Sequence, residues 1–461
     1  MERTAVFWVL ALLSAAVLFA PLRRGDLPGY DDALYAHIAK DILTTGDWLN
    51  IRSNGYPALE HPPLLPWTEA ALFSIFGVSD TVARLPSAFC GWAVILLVYW
   101  VARRWLGDPL HAAIAMLVMA TSFYFLKYAA HAMTDVPFTA LFLCAIAAWS
   151  LAENRPRWYL AAGLFTGLTL LTRGLMGFAL PAIFVADSWI RRREAPLRLS
   201  AIGCGLAFLP LGAWYAHLIA VHGRWFFTVH SAWLDREAFG ALTPPWRRYT
   251  GVPEYAWMLL KSYWPWLPFL VAGIASVIRS RDRRLFLLLI WSAAVFLLCA
   301  AAKSRVLRYL LPAYPAFAVL SAIGIGGLIP RRHLRRGLAV VIPAAAAGAL
   351  ATALFLPTRW HALEIRPIAA AETAAAPANQ RVAFYDAGQP RFDETNQLQW
   401  YGGRYLDILL TPAELQQEIR GHDAEVFVVD RATYAAYFAP RPGIRVVARS
   451  GHLVCVRLPR S

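Results

Sequence analysis

Charge is scarce in this chain: Asp, Glu, Lys and Arg make up 16% of its 461 residues, against 58% hydrophobic residues, and the mean hydropathy is +0.46. That balance excludes an ordinary soluble domain. Cysteine is scarce as well. There are five, with no Cys-x-x-Cys pair, which excludes a disulfide framework and a cysteine zinc site. No glycine-rich phosphate loop follows any candidate strand, so a nucleotide fingerprint is missing, and no internal repeat stands out. Acidic residues are outnumbered 29 to 44, leaving a net charge of +15. Such an excess would suit a nucleic acid partner, but its distribution argues otherwise. The arginines gather at Arg103-Arg104, Arg155/Arg157, Arg191-Arg192-Arg193, Arg279 to Arg284 and Arg331 to Arg336, between apolar runs.

What the chain has instead is repeated apolar windows long enough to cross a bilayer. They lie near 5–21, 86–102, 110–129, 136–152, 158–172, 174–190, 199–220, 263–279, 285–301, 309–329 and 337–356, about eleven spans in all. With this set every arginine cluster above falls on one side, which the positive-inside bias makes cytoplasmic. Arg23-Arg24 falls on the other side, beside a long loop where the bias is weaker. The apolar run of 1–24 reads as a retained span rather than a cleaved leader. The predicted architecture is an all-α polytopic membrane domain (1–356) with outer loops at 22–85 and 221–262, a linker at 357–380, and a small α/β domain at 381–461. The first outer loop carries two helix-periodic stretches, around 34–43 and 64–76, suited to the membrane interface.

The outer face then collects the chemistry. Asp31 and Asp32 precede the first of those helices, and Asp135 opens the fourth span as Thr134-Asp135-Val136-Pro137. Each could be a helix N-cap; two acidic sites on one rim also suit work on a lipid phosphate. Arg173 sits between two spans. In the second loop, rich in Trp, Tyr, Phe and Arg, His230 and Arg236 are candidates to hold a sugar and phosphate, against the plainer reading of an aromatic belt. Lys303, Arg305 and Arg308 crowd one outer mouth, where they either snorkel or hold a phosphate or pyrophosphate. A transporter or flippase is the competing class, but the spans are almost free of charge, whereas transporters place ionisable groups near the midplane.

The order Y-D-D-A-x-Y-A (30–36), H-P-P-L-x-P-W (61–67), A-R-L-P-S (83–87), T-D-x-P (134–137), T-R-G (172–174) and R-Y-L-L-P-x-Y-P (308–315) resembles the GT-C glycosyltransferases. It is most similar to the branch holding lipid A aminoarabinose transferases and protein O-mannosyltransferases, over roughly residues 1–330. The resemblance implies a bacterial inner-membrane enzyme with its active site and C-terminal domain facing the periplasm. It would move a sugar from a polyprenyl-phosphate donor to lipid A, another glycolipid or glycan, or a protein, with membrane lipids around it and no nucleic acid partner. It further implies that Asp31 is the general base or acceptor-orienting carboxylate, with Asp32 beside it and Asp135 the second acidic site. His61 stands where many members carry Lys, Arg173 at a basic position, and Lys303, Arg308 and Tyr309 in the segment that holds the donor phosphate. Leu34 replaces an Arg common in the aminoarabinose transferases. Some members place a divalent ion between acidic residues; no metal or other cofactor is assigned here.

Overall fold

The computed structural model describes all residues except 1–2, 24, 193–196, 235–250, 303–304, 356–363, 378–379, 387–391, 422–423 and 460–461. Arg236 and Lys303 lie outside the described residues. The chain divides into two compact units, each assembled from separated segments.

The first unit comprises Met1–Leu22, Leu59–Leu65 and Arg84–Leu356, and is built of helices around one long apolar core. Among the described residues, three helical stretches are long and apolar enough to cross a membrane, Ala5–Arg23, Asp80–Leu106 and Leu307–Leu328, and a fourth, Trp158–Arg191, has the length and composition but turns back part-way. A fifth is Pro109–Ala120 with Phe123–Ala129, bent by 63°. The windows expected at 136–152, 263–279 and 285–301 are helices of 17, 14 and 16 residues. At about 1.5 Å per residue these fall short of a ~30 Å hydrocarbon core, so length alone does not reach eleven spans.

Side-chain pairs fix the direction of the chain around Arg173. Asp135 opens the helix Asp135–Leu151, and Arg173 closes Trp158–Arg173; the two side chains form an ion pair. At the opposite end, Trp149 Nε1 donates to Asp187 Oδ2 at 2.9 Å and Arg191 pairs with Glu153 at 2.6 Å. The helix Ala179–Arg191 therefore runs back along Trp158–Arg173. The reversal occurs at Gly174, whose φ of +54 suits glycine, as the Thr172-Arg173-Gly174 break suggests.

Glycines set the closest helix crossings in this unit. A Cβ on Gly163 would lie 2.1 Å from the Gly203 carbonyl carbon, and one on Gly273 would lie 1.9 Å from Leu320 O. Small residues at such crossings let backbones approach, the usual packing device where hydrophobicity cannot drive association. Gly273→Leu is expected to separate Leu267–Ser280 from Tyr314–Leu328 and destabilise by at least about 1–3 kcal/mol, the ordinary cost of overpacking. A lowered thermal midpoint in detergent, against an unchanged Gly327→Leu control at an open position, would show it.

The second unit comprises Arg23–Ala58, Pro66–Ala83 and Pro357–Ser461. Its centre is a five-stranded sheet in the order β4-β3-β5-β7-β6, with β3 Val382–Tyr385, β4 Leu406–Leu409, β5 Val426–Asp430, β6 Arg445–Ser450 and β7 Leu453–Arg457. β3 pairs in parallel with β4 and β5, while β7 is antiparallel to β5 and β6. A two-residue hairpin, β1 Arg52–Ser53 and β2 Tyr56–Pro57, lies in the first loop. Both faces of β3 and β5 are buried, which explains their unbroken apolar runs. Val382 and Phe384 pack with Ile368, Ala369 and Leu398; Ala383 and Tyr385 pack with Leu415, Ile419 and Phe438.

Two sequence expectations change here. The alanine-rich stretch expected as a linker contains a helix, Ile365–Ala375, whose Ile368, Ala369 and Ala375 sit in the sheet's core while Ala370 and Ala374 face out. Most of the first loop, Arg23–Ala58 and Pro66–Ala83, also belongs with the C-terminal segment rather than with the apolar helices. Gln397 Nε2 donates to Leu27 O at 2.8 Å, and Asn396 Nδ2 to Tyr30 O at 3.0 Å. Asn54 exchanges two hydrogen bonds with the Leu406 backbone, at 2.8 and 2.7 Å. Arg366 bridges Asp26 and Asp80.

Candidate active site

The first unit gathers four of the expected residues. Asp135 stands at the first position of its helix, where Thr134 provides no side-chain cap. Its own carboxylate is not a cap either. Oδ1 accepts from Arg173 Nη1, and Oδ2 lies 3.8 Å from Arg308 Nε. The Asp135 side chain is 1% exposed, Arg173 17% and Arg308 20%, so the carboxylate is the floor and the guanidiniums are the accessible rim. Tyr309 completes the arrangement. Arg173 lies 4.4 Å and Arg308 5.8 Å from its ring centre, both within cation–π range. Two fixed guanidiniums thus meet at one carboxylate, with the planar donors that suit a phosphate.

The segment that carries Arg308 and Tyr309 is held along its length. It is a 3-10 turn, Leu307–Ala313, entered from Val306. Tyr255 donates its hydroxyl to Val306 O at 3.1 Å, and Trp291 Nε1 donates to Pro312 O at 2.8 Å. Arg305 is not part of the same cluster: it pairs with Glu254 at 2.7 Å. The His61-Pro62 stretch lies beside the Gly174 reversal, with Pro62 Cγ 3.9 Å from where a Cβ of Gly174 would stand. His61 itself is half-buried. His230 packs on Phe226, ring centres 4.1 Å apart, and donates from Nδ1 to Phe226 O at 3.3 Å. Burial lowers its pKa, opposed by the nearby carboxylate of Glu60. His230 is thus packed against its own helix, with Glu60 as a neighbour that its residue type alone did not suggest.

Asp31 and Asp32 belong to the second unit, as the first two residues of the helix Asp31–Thr45. Negative charge in the first turn is favoured by the helix dipole, and Gly46 ends the helix in the left-handed conformation at φ +72. Asp31 is half-buried; Asp32 is buried, and near it lies Glu69, fully buried on Leu64–Phe76. Among the described residues neither Glu69 oxygen has a hydrogen-bond partner. Burial, then the charge of Asp32, pushes the Glu69 carboxyl well above the usual range. A lone acid in the apolar run LLPWTEAALFSIF was the available signal, and the sequence reading did not use it.

The sign of its effect on stability follows directly. A carboxyl with a raised folded pKa stays protonated in the fold but ionises in the unfolded chain, so stability falls as pH rises above the ordinary value near 4.5. Glu69→Gln is expected to raise the melting temperature at pH 7 and to flatten its dependence between pH 5 and pH 7, checked by thermal unfolding at each pH.

Among the described residues no group of three or more His, Cys, Asp or Glu is placed to hold a metal ion, and no step below is routed through one.

Residues 60–221 match the family model described as dolichyl-phosphate-mannose-protein mannosyltransferase. The whole chain superimposes on the crystal structure of ArnT from Cupriavidus metallidurans bound to undecaprenyl phosphate, with a TM-score of 0.77 over 98% of this chain and 97% of that one, at 22% identity. The chain has the GT-C fold of the ArnT/PMT superfamily. This GT-C chain is 28% identical over 342 residues to the undecaprenyl phosphate-alpha-4-amino-4-deoxy-L-arabinose arabinosyl transferase of Edwardsiella ictaluri, covering 70% of the chain and 60% of the relative. It is also 28% identical over 298 residues to a protein of Aquifex aeolicus, covering 63% and 58%. It thus spans about three-fifths of the length of the curated relatives it matches. The GT-C fold extends to the Archaeoglobus fulgidus oligosaccharyltransferase, with a TM-score of 0.62 at 15% identity over 94% of this chain and 69% of that one. The match and the apolar helices identify an integral membrane protein.

Proposed function

We propose that this protein is an inner-membrane glycosyltransferase that moves a sugar from a polyprenyl-phosphate donor to a glycolipid acceptor of the lipid A type, on the periplasmic face. The observation that carries the reading is the Asp135–Arg173–Arg308 cluster under Tyr309: two guanidiniums held by one buried carboxylate, with their planar donors at a partly accessible rim. A sugar already joined to a lipid phosphate carries its own leaving group, so a nucleotide site is not needed.

In the reaction, the bond from the anomeric carbon to the phosphate oxygen breaks and the electron pair leaves with the phosphate. Arg173 and Arg308 stabilise that growing charge, fixed in advance by Asp135 and Tyr309, so little reorganisation accompanies the step. The acceptor hydroxyl forms the new bond to the anomeric carbon, and its proton passes to a general base, the role that the family resemblance gives to Asp31. Asp135 acts through the arginines as a positioning residue. Mutual support also comes from the relatives, one named for an undecaprenyl-phosphate sugar donor and one solved with undecaprenyl phosphate bound.

The test is mass spectrometry of total lipids, lipid A and envelope glycans from wild-type cells and a deletion strain. The expected result is accumulation of one polyprenyl-phosphate sugar in the deletion and loss of that sugar from one glycolipid. A sugar missing from a protein instead would correct the acceptor. Unchanged pools in cells shown to express the protein would remove the transferase reading.

A further inference from the structure

The helix Asp31–Thr45 offers a second face to the rest of its own unit. His37, Lys40, Asp41 and Thr44 recur at helical spacing and line a cavity of about 290 Å³ with Arg381, Arg404 and Tyr405, all within the second unit. That is roughly ten times the volume a liquid water occupies, room for a monosaccharide-sized polar molecule. The cavity lies at the entry to β3 and β4, at the end of the sheet opposite the usual ligand crevice of parallel strands.

Its chemistry is specific. Three cations meet there. Arg381 is held by Asp407 and by Leu406 O at 2.8 Å, and Arg404 donates to Ala376 O at 3.2 Å. Lys40 donates to Trp400 O at 3.1 Å, and burial lowers its pKa. Gly403, with φ +66, leaves that side open: a Cβ there would stand 3.2 Å from Lys40 Nζ. The one carboxylate in the wall, Asp41, accepts from the Tyr405 hydroxyl, and burial raises its pKa. Three cationic side chains thus line the wall beside Asp41. His37 adds a different requirement. It is 4% exposed, burial holds its pKa down at about 3, and it is therefore neutral. Among the described residues neither of its ring nitrogens has a hydrogen-bond partner. A neutral imidazole offers one donor and one acceptor, the complement of a hydroxyl group; leaving both unmatched in a buried site is costly.

We propose that this cavity binds a phosphorylated sugar, with Lys40 and Arg404 facing the phosphate and a sugar hydroxyl against the His37 ring. The site is separate from the Asp135 cluster and from Asp31, and the proposal does not depend on the transferase reading, because binding alone tests it.

The experiment is calorimetric titration of the full-length protein in detergent with glucose 1-phosphate, glucose and inorganic phosphate. Saturable binding of glucose 1-phosphate is expected, at least about tenfold tighter than either fragment, a difference of about 1.4 kcal/mol. His37→Phe keeps an aromatic ring in the same apolar surroundings, and Lys40→Gln changes a half-buried group. Each is expected to weaken binding at least about tenfold with the thermal midpoint retained, while Lys40→Arg keeps it. Should His37→Phe fail to fold, Lys40→Gln still decides. Phosphatidylcholine nanodiscs carrying phosphatidylinositol 4-phosphate, added in competition, separate two sources: displacement points to a lipid headgroup, no displacement to a soluble sugar phosphate. Absence of saturable binding, equal affinity for inorganic phosphate, or binding untouched in both variants would overturn the proposal.

Discussion

Arg173→Ala is expected to reduce sugar transfer by at least about 100-fold, the usual cost of losing one preorganised donor at developing charge. It should also destabilise the protein by about 3 kcal/mol, the lower end for breaking a buried ion pair. The lower end applies because Arg308 still lies 3.8 Å from the stranded carboxylate. The two effects separate in a double-mutant cycle. Adding Asp135→Asn to Arg173→Gln removes the buried charge and is expected to restore stability to within about 1 kcal/mol of wild type, without restoring turnover. Transfer measured with a purified polyprenyl-phosphate donor, beside thermal unfolding, gives both readouts. Recovery of turnover in the double variant would mean that the arginine serves the fold alone.

Asp31→Asn is the second large effect. A general base contributes about 10²- to 10⁴-fold, so transfer should fall by that amount, mostly in kcat. Thermal unfolding beside turnover checks that the variant is folded. Near-normal turnover in a folded Asp31→Asn protein would remove Asp31 as the base.

The sequence conveyed the polar landmarks better than the boundaries. Asp135, Arg173, Arg308 and Tyr309 were legible because charge is rare in the first unit, and each stands where an apolar run stops. Their grouping under one tyrosine was not legible. It depends on a chain reversal at Gly174 and on a 3-10 turn, neither of which has a strong periodic signature. Arg305 shows the limit: it lies in the same basic run as Arg308, yet pairs with Glu254, which is distant in sequence. Helix length among the described residues does not by itself reach the eleven expected spans, for a related reason. Hydropathy windows merge a helix with its flanking turns, as at 110–129, where the structure bends by 63°. In the second unit, β3, β5, β6 and β7 were visible as short apolar runs (382–385, 426–429, 444–447 and 453–456), whereas β4, with the pattern LDIL and two half-buried central residues, was not. Glu69 and His37 were passed over because burial, not residue type, gives them their character.

The composite make-up of the second unit has a consequence for how the protein is made. Leu27 and Gln397, which share a hydrogen bond, are 370 residues apart. At synthesis rates of about 5–20 residues per second, the first loop waits roughly 20–70 s for its partner segment to emerge. Throughout that interval the helix Asp31–Thr45 lacks the helix Phe392–Gly402 that it packs against. The first loop is thus a natural client for chaperones on its side of the membrane, and the last quarter of the chain is what releases it.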